Sequence, residues 1–255
     1  MIKILTAIWR QSIQEFLIYR TTSIITFILA LAFLVIELIT GTIYFSENRS
    51  IPGWTENEYF ILITFVNCSM YMYNTFFILG HEELNEDILE GNLDYVLIRP
   101  VSSYWLSAGR KIDFPSIFNF LITFILLLDF LNKENVTLIQ VIVICFLILV
   151  TAFFIFVLNQ IFLSFLFWFN GVSELGGIIE DLFSFASRPK KIFPRIIQNI
   201  FVFLFPVLLA TNISNQFLKK GINSYFFYYL VLIAVFYIIS RILWKFGLNR
   251  YTSSN

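Results

Sequence analysis

Six carboxylates stand within residues 82–94: Glu82, Glu83, Glu86, Asp87, Glu90 and Asp94. Such a cluster suits catalysis, metal binding or docking against a basic partner, and its neighbours decide which. A metalloprotease site needs several histidines at ligand spacing, whereas His81 is the only histidine of the chain and has no Cys or His partner beside it. His81 is therefore read as a polar residue at a helix end, and no metal site and no catalytic group is assigned. No G-x-x-x-x-G-K-[ST] run occurs, so this chain has no phosphate-cradling loop of that kind and binds no cofactor by it. What remains is docking. Leu84, Ile88, Leu89 and Leu93 set an apolar stripe at helical spacing among the acids. Gly91 stops or bends that helix, and Pro100 disfavours helical geometry at Arg99. Residues 81–99 read as a helix, a break and a re-entry, with a mixed surface that fits a cleft on a partner. Acids beside the negatively charged inner leaflet also call for a cationic surface to meet them.

The elements that must hold this segment are membrane spans. Of 255 residues, 58% are hydrophobic and 13% charged, against about 25% charged in an average soluble domain. The expected class is an all-α polytopic membrane protein in a single domain, residues 1–255. Residues 1–20 place Ile2, Leu5, Trp9, Ile13, Phe16 and Leu17 near one helical face, which predicts an interfacial helix on the inner leaflet. Apolar runs long enough to cross about 30 Å of hydrocarbon follow at 21–45, 59–80, 114–131, 138–167 and 223–245. A polar segment, 81–113, separates the second and third, and a tight turn at 132–137 separates the third and fourth. Residues 171–187 have helical apolar spacing but carry Glu174, Glu180 and Asp181, so they span only with those acids facing protein or water. The run 196–210, broken by Pro206, is the alternative sixth span. Both readings give six spans with both termini cytoplasmic, and they differ in the side on which the basic residues of 188–195 lie. Formal charge is zero with no basic block, which excludes a nucleic-acid partner. Cys68 and Cys145 fall inside apolar runs and read as small hydrophobes.

Within the spans, Glu37 lies on the outward half of the first, where an ionised side chain either pairs with another helix or lines a pathway. Asn67, Ser69 and Asn74 on the second span and Asn119 and Asp129 on the third add polarity. Interhelical hydrogen bonding accounts for the amides and the hydroxyl; Glu37, Asn67 and Asn74 are the pathway candidates. Thirty-two Phe and twelve Tyr suit packing and interfacial belts, with Tyr71, Tyr73, Tyr225, Tyr228 and Tyr229 assigned to the belts.

The run ILEGNLDYVLIRPVS resembles the loop after the second span in permeases of the type-2 ATP-binding-cassette exporter family. The match is to a branch with an I-x-x-G-x-L-D-x-x-L-x-R-P-V pattern, carried here by Ile88, Gly91, Leu93, Asp94, Leu97, Arg99, Pro100 and Val101. Pro189, Pro194 and Pro206 resemble the branch's turn before a short apolar helix pair. The resemblance implies six transmembrane helices, a cytoplasmic coupling helix within 81–113, and a re-entrant helix pair at 188–222 facing outward before the last span. It makes Glu82, Glu83, Glu86, Asp87, Gly91, Asp94, Arg99 and Pro100 the ATPase-coupling residues. The implied partners are two copies of an ATPase subunit, which bind the ATP and Mg, and a second permease, itself or a paralogue, in membrane lipid. The expected function is a non-catalytic permease subunit that moves substrate outward across a bacterial plasma membrane, with an apolar interior that favours a hydrophobic or amphiphilic cargo. Two rivals are a secondary active carrier, which calls for internal repeats not found here, and a membrane-embedded enzyme on lipid-linked substrates, which calls for clustered catalytic groups.

Overall fold

A computed structural model describes residues 2–46, 51–169 and 177–251, and among them every regular element is a helix. Helix α1 (Ile2–Ile18) gives way at Tyr19 to α2 (Arg20–Ser46). Helix α3 (Glu56–Tyr73) starts on a capping box, in which the Thr55 hydroxyl accepts from the Glu58 N–H and the Glu58 carboxylate accepts from the Thr55 N–H. It passes through one π-helical turn, Asn74–Ile78, into α4 (Leu79–Glu90), so residues 56–90 form one long helix. Gly91 ends it in the left-handed region at φ 74°, where glycine carries no Cβ penalty. Two short helices follow, α5 (Asp94–Leu97) and α6 (Ser103–Ala108).

Helix α7 (Phe114–Lys133) begins with Asp113 as N-cap and Pro115 in its first turn. Asn135, at φ 52°, turns the chain into α8 (Leu138–Ser164), whose Thr137 and Gln140 form a second capping box. A 3-10 turn, Phe165–Phe167, follows α8, and further along come α9 (Ile178–Ala186), α10 (Arg195–Asn199), α11 (Val207–Lys220) and α12 (Ser224–Leu248). The buried core gathers α3, α8, α11 and the inward face of α12, while α2 leaves Ile28, Phe33 and Ile36 exposed, as a lipid-facing helix does.

Cross-links at the two ends of the bundle give the path of the chain. At one end the Asn57 side chain donates to the Phe130 carbonyl at 3.0 Å and to Glu134 at 2.7 Å, joining the α2–α3 and α7–α8 connections. At the other end the Ile112 N–H donates to Ser12 Oγ of α1, and the Leu93 N–H donates to the Tyr251 hydroxyl, both at 3.0 Å. The first and last described segments therefore share the end that carries α4 to α6.

Among the described residues five helices, those at 20–46, 56–90, 114–133, 138–167 and 224–248, are long and apolar enough to cross a membrane; the bent pair 195–202 and 207–220 brings the number up to six if it counts as one span. This is an all-α, polytopic membrane protein. The six spans expected from sequence agree with that upper number; of the two candidates for the span before the last, 171–187 falls partly outside the described residues, which place α9 within it. The pair that follows bends by 91° near Pro206. Lys191 donates to the Pro52 carbonyl and Lys219 to the Gly53 carbonyl, so this segment starts and finishes at the end that holds the α2–α3 loop.

Candidate functional site

The segment 81–113 is folded into a unit joined firmly to the spans. Gly80 lets the backbone of α6 lie directly against α4: a Cβ on it would meet the Ala108 carbonyl oxygen at 1.8 Å. On the other side of α6, Tyr104 shares a 2.8 Å hydrogen bond with Ser240 of α12, and the Trp244 indole N–H donates to Ser103 Oγ at 3.3 Å. The Arg241 guanidinium lies 4.7 Å above the Tyr104 ring. Trp105 stacks on Phe156 of α8 with centroids 5.1 Å apart and planes 6° from parallel. These rings form one aromatic block that connects α6 to α8 and α12.

His81 belongs to that block, which corrects its reading as a polar helix-end residue. It is 4% exposed and stacks on Phe156. One ring nitrogen bonds the Tyr73 hydroxyl at 2.8 Å and the other Gln160 Oε1 at 3.0 Å. Tyr73 and Tyr229, expected in interfacial belts, are instead buried; Tyr229 pairs with Thr151 at 2.9 Å. Tyr71 is buried as well, whereas Tyr225 and Tyr228 are exposed near the start of α12. A buried phenol that finds a hydrogen-bond partner is as stable in a core as at an interface, which is why composition did not separate the two groups.

The carboxylates of 82–94 divide between internal and external roles. Arg110 reaches Glu83 at 2.8 Å and Asp87 at 2.7 Å, and Lys111 pairs with Glu83 and, at 3.2 Å, with Glu15 of α1. The cationic surface that these acids require is thus supplied in part by the chain itself. Burial of the ammonium opposes its charge, but the Glu83 and Glu15 carboxylates more than offset this and raise the Lys111 pKa. Sequence reasoning missed Arg110 and Lys111, although adjacent cations some twenty residues from an acidic helix were the available signal.

Beyond Asp87 the unit presents an apolar tip. Tyr95 is 66% and Ile98 78% exposed, and Leu89, Leu97 and Val101 are exposed beside them. Leu93 and Val96 point inward and are buried, so α5 rests on the unit through one face and offers the other. Glu86, Glu90, Arg99 and Pro100 surround the tip and are exposed, while Asp94 is half-buried.

Among the pathway candidates, Glu37 and Asn67 meet: Asn67 Nδ2 donates to Glu37 Oε2 at 2.7 Å and to the Ile63 carbonyl at 3.0 Å. Asn74 lies apart from them on the π-helical turn, and its Oδ1 is buried without a hydrogen-bond partner. Pro194 precedes α10, Pro206 precedes α11 at the bend, and Pro189 lies beside the Arg188 carbonyl and Lys190 N–H that Asn212 of α11 holds.

A profile of the family described as ABC-2 family transporter protein matches residues 27–255, nearly the whole chain. The chain belongs to that family. It is therefore a multi-pass membrane protein and a permease component of an ABC transporter, a class that generally works with an ATPase subunit and forms dimers. Comparisons with curated proteins and with solved structures find no match. In this ABC-2 permease the long α3–α4 helix, the Gly91 break and the exposed α5 form the candidate site, and the aromatic block ties that site to the spans.

Proposed function

We propose that this ABC-2 permease is the non-catalytic transmembrane subunit of an exporter, and that a separate ATPase docks on the tip formed by Leu89, Tyr95, Leu97, Ile98 and Val101. The observation that carries this reading is the exposure of these apolar side chains on a unit whose base is bonded into α8 and α12. Isolated exposed apolar residues are ordinary, but a contiguous patch rimmed by polar groups marks an interaction surface. Glu86, Glu90 and Arg99 supply such a rim.

In this reading two ATPase copies bind ATP and Mg and serve a pair of permeases, this chain with itself or with a paralogue. The motor acts from the cytoplasm, which assigns the α4–α6 end and both termini to that side of a bacterial plasma membrane and residues 188–222 to the outer side. Closure of the ATPases presses on α5 and α6. The Gly80 contact and the aromatic block pass the displacement to α4, α8 and α12, and substrate moves outward.

The test is mass spectrometry of whatever co-purifies with the chain from its native membranes in mild detergent, repeated with Ile98→Asp. A carboxylate at the centre of an apolar contact must be desolvated without a partner, at a cost of several kcal/mol. The wild type is expected to carry an ATPase with a phosphate-binding loop, and Ile98→Asp to lose it while the permease itself still elutes as a single folded species. Retention of the ATPase by Ile98→Asp overturns this docking surface; a wild type that purifies without any ATPase overturns the exporter reading.

A further inference from the structure

Between α1, α2, α3, α4 and α7 lies a cavity of about 460 Å³, at the end that carries α4 to α6. Glu82 and Asp113 both line it. Glu83 and Asp87 have Arg110 and Lys111; among the described residues neither Glu82 nor Asp113 has a cationic partner. Asp113 accepts from Ser116, and Glu15, a third carboxylate of the lining, is held by Lys111. The lining thus holds two carboxylates without a cationic partner, Glu82 exposed and Asp113 half-buried, and their mutual repulsion favours a cation between them.

A second feature is independent of the acids. The Asn119 carboxamide of α7, 1% exposed, borders the cavity, and its Oδ1 has no hydrogen-bond partner. Asn74, on the π-helical turn opposite, also borders it with an unpartnered Oδ1. A buried amide left unpaired costs on the order of 1–3 kcal/mol, and here two such amides, from different helices, border the same chamber. The hydroxyl-bearing residues Ser23 and Thr26 add further acceptors to the lining.

The chamber continues into an apolar groove of about 400 Å³ between α2 and α7, lined by Ile24, Phe27, Phe118, Leu121 and Ile122 and sharing Phe16, Ser23 and Pro115 with the chamber. An acceptor-rich, acidic chamber thus adjoins a hydrocarbon-lined groove on the surface of two spans.

We infer that this chamber and groove bind an ammonium-headed amphiphile, with the cationic head between Glu82 and Asp113, the Asn74 and Asn119 carboxamides turned to it, and the alkyl chain along Phe27, Phe118 and Leu121. The inference rests on the transport reading only in making this amphiphile a cargo or a bound lipid; the binding itself needs no ATPase. An anionic or neutral head does not satisfy the site, because it leaves the two carboxylates unpaired.

The test is calorimetric titration of the purified full chain in a neutral maltoside with hexyltrimethylammonium, hexyl sulfate and hexanol. Wild type is expected to bind the ammonium compound and neither of the others. Glu82→Gln, a near-isosteric change, is expected to weaken binding at least tenfold, and Asp113→Asn, which keeps an N-cap side chain for α7, to do the same. Glu56→Gln, exposed at the opposite end of the bundle, is expected to leave binding unchanged, and gel filtration of each variant reports its fold. Equal binding of hexyl sulfate, or wild-type affinity in both Glu82→Gln and Asp113→Asn, overturns the inference. Native mass spectrometry from the host membrane assigns the source. Co-purified phosphatidylethanolamine that is lost in Glu82→Gln makes the ligand a lipid head group, and titratable binding without retained lipid makes it a free amphiphile. ATPase co-purification without ammonium binding removes only this inference, and ammonium binding without an ATPase removes only the exporter reading.

Discussion

Gly80 is the position where the smallest substitution should have the largest effect on coupling. A Cβ there would stand 1.8 Å from the carbonyl oxygen and 2.4 Å from the carbonyl carbon of Ala108. Comfortable C···O approach begins at about 3.3 Å, so α6 must retreat by more than about 1 Å; both neighbours are main-chain atoms, and no side-chain rotation relieves the contact. That retreat pushes α6 toward α12 on its far side and forces the 2.8 Å Tyr104–Ser240 bond and the 5.1 Å stack of Trp105 on Phe156 out of their present geometry. Overpacking costs about 1–3 kcal/mol and the lost bond about 1 kcal/mol more, so Gly80→Ala is expected to destabilise the chain by about 2–4 kcal/mol. Gly109→Ala is the control. It lies in the same segment at φ −100°, and a Cβ there would meet only the Trp105 carbonyl, at 3.2 Å, so its cost should stay below about 1 kcal/mol. Denaturant unfolding of both variants in detergent measures the difference, and nucleotide hydrolysis by the reconstituted complex reads coupling. If Gly80→Ala unfolds no earlier than Gly109→Ala and hydrolysis still responds normally to the permease, α6 is not held against α4 as described, and transmission through the aromatic block fails.

Two further outcomes are expected. Tyr104→Phe leaves the fully buried Ser240 hydroxyl unpaired and should cost about 1–3 kcal/mol; adding Ser240→Ala should recover part of that cost in the same unfolding assay, and strict additivity would argue that the two side chains do not interact. Burial raises the Asp113 pKa above its ordinary 3.8, with the Ser116 hydrogen bonds opposing the rise. As pH climbs past 3.8 the unfolded chain releases this proton before the folded one, so the group's contribution to stability falls until the folded pKa is passed. Asp113→Asn should therefore stabilise the ligand-free chain at pH 8 relative to wild type and show little difference at pH 3.5; a pH-independent difference counts against a desolvated carboxylate.

The helix end at Gly91 was legible in the sequence, and the span starts near 114 and 138 were read from apolar content. The capping pairs that fix three helix starts, Thr55 with Glu58, Asp113 with Pro115, and Thr137 with Gln140, are a signal that the apolar runs did not carry. The continuity of α3 into α4 was less visible, because a fall in apolar content at His81 looks like the end of a span although the backbone stays helical to Glu90. The α9–α11 region was harder to count, because 171–187 carries three acids and the bend near Pro206 interrupts the apolar run that follows. In the site, the acids and the Gly91 break were readable, but the roles of Glu83 and Asp87 were not. Their partners Arg110 and Lys111 are distant in sequence and near only once α6 folds back on Gly80. His81 shows the same limit, since its partners Tyr73 and Gln160 come from α3 and α8.

Three consecutive residues of α4 join the parts of this permease. His81 is set among Phe156, Tyr73 and Gln160 in the core, Glu82 lines the chamber beside Asp113, and Glu83 is held by Arg110 and Lys111 at the base of the α5 tip. Successive positions on a helix face directions about 100° apart, so a single rigid segment touches the spans, the chamber and the docking unit at once. Any displacement of α4 relative to α7 changes the separation of Glu82 and Asp113, and with it the affinity of the chamber for a cation. The π-helical turn at Asn74–Ile78 lies immediately before this segment; such a turn departs from the regular α-helical bonding pattern and recurs at functional sites. A load applied at Ile98 therefore reaches the chamber through the main chain at Gly91 and through the Arg110 and Lys111 ion pairs with α4.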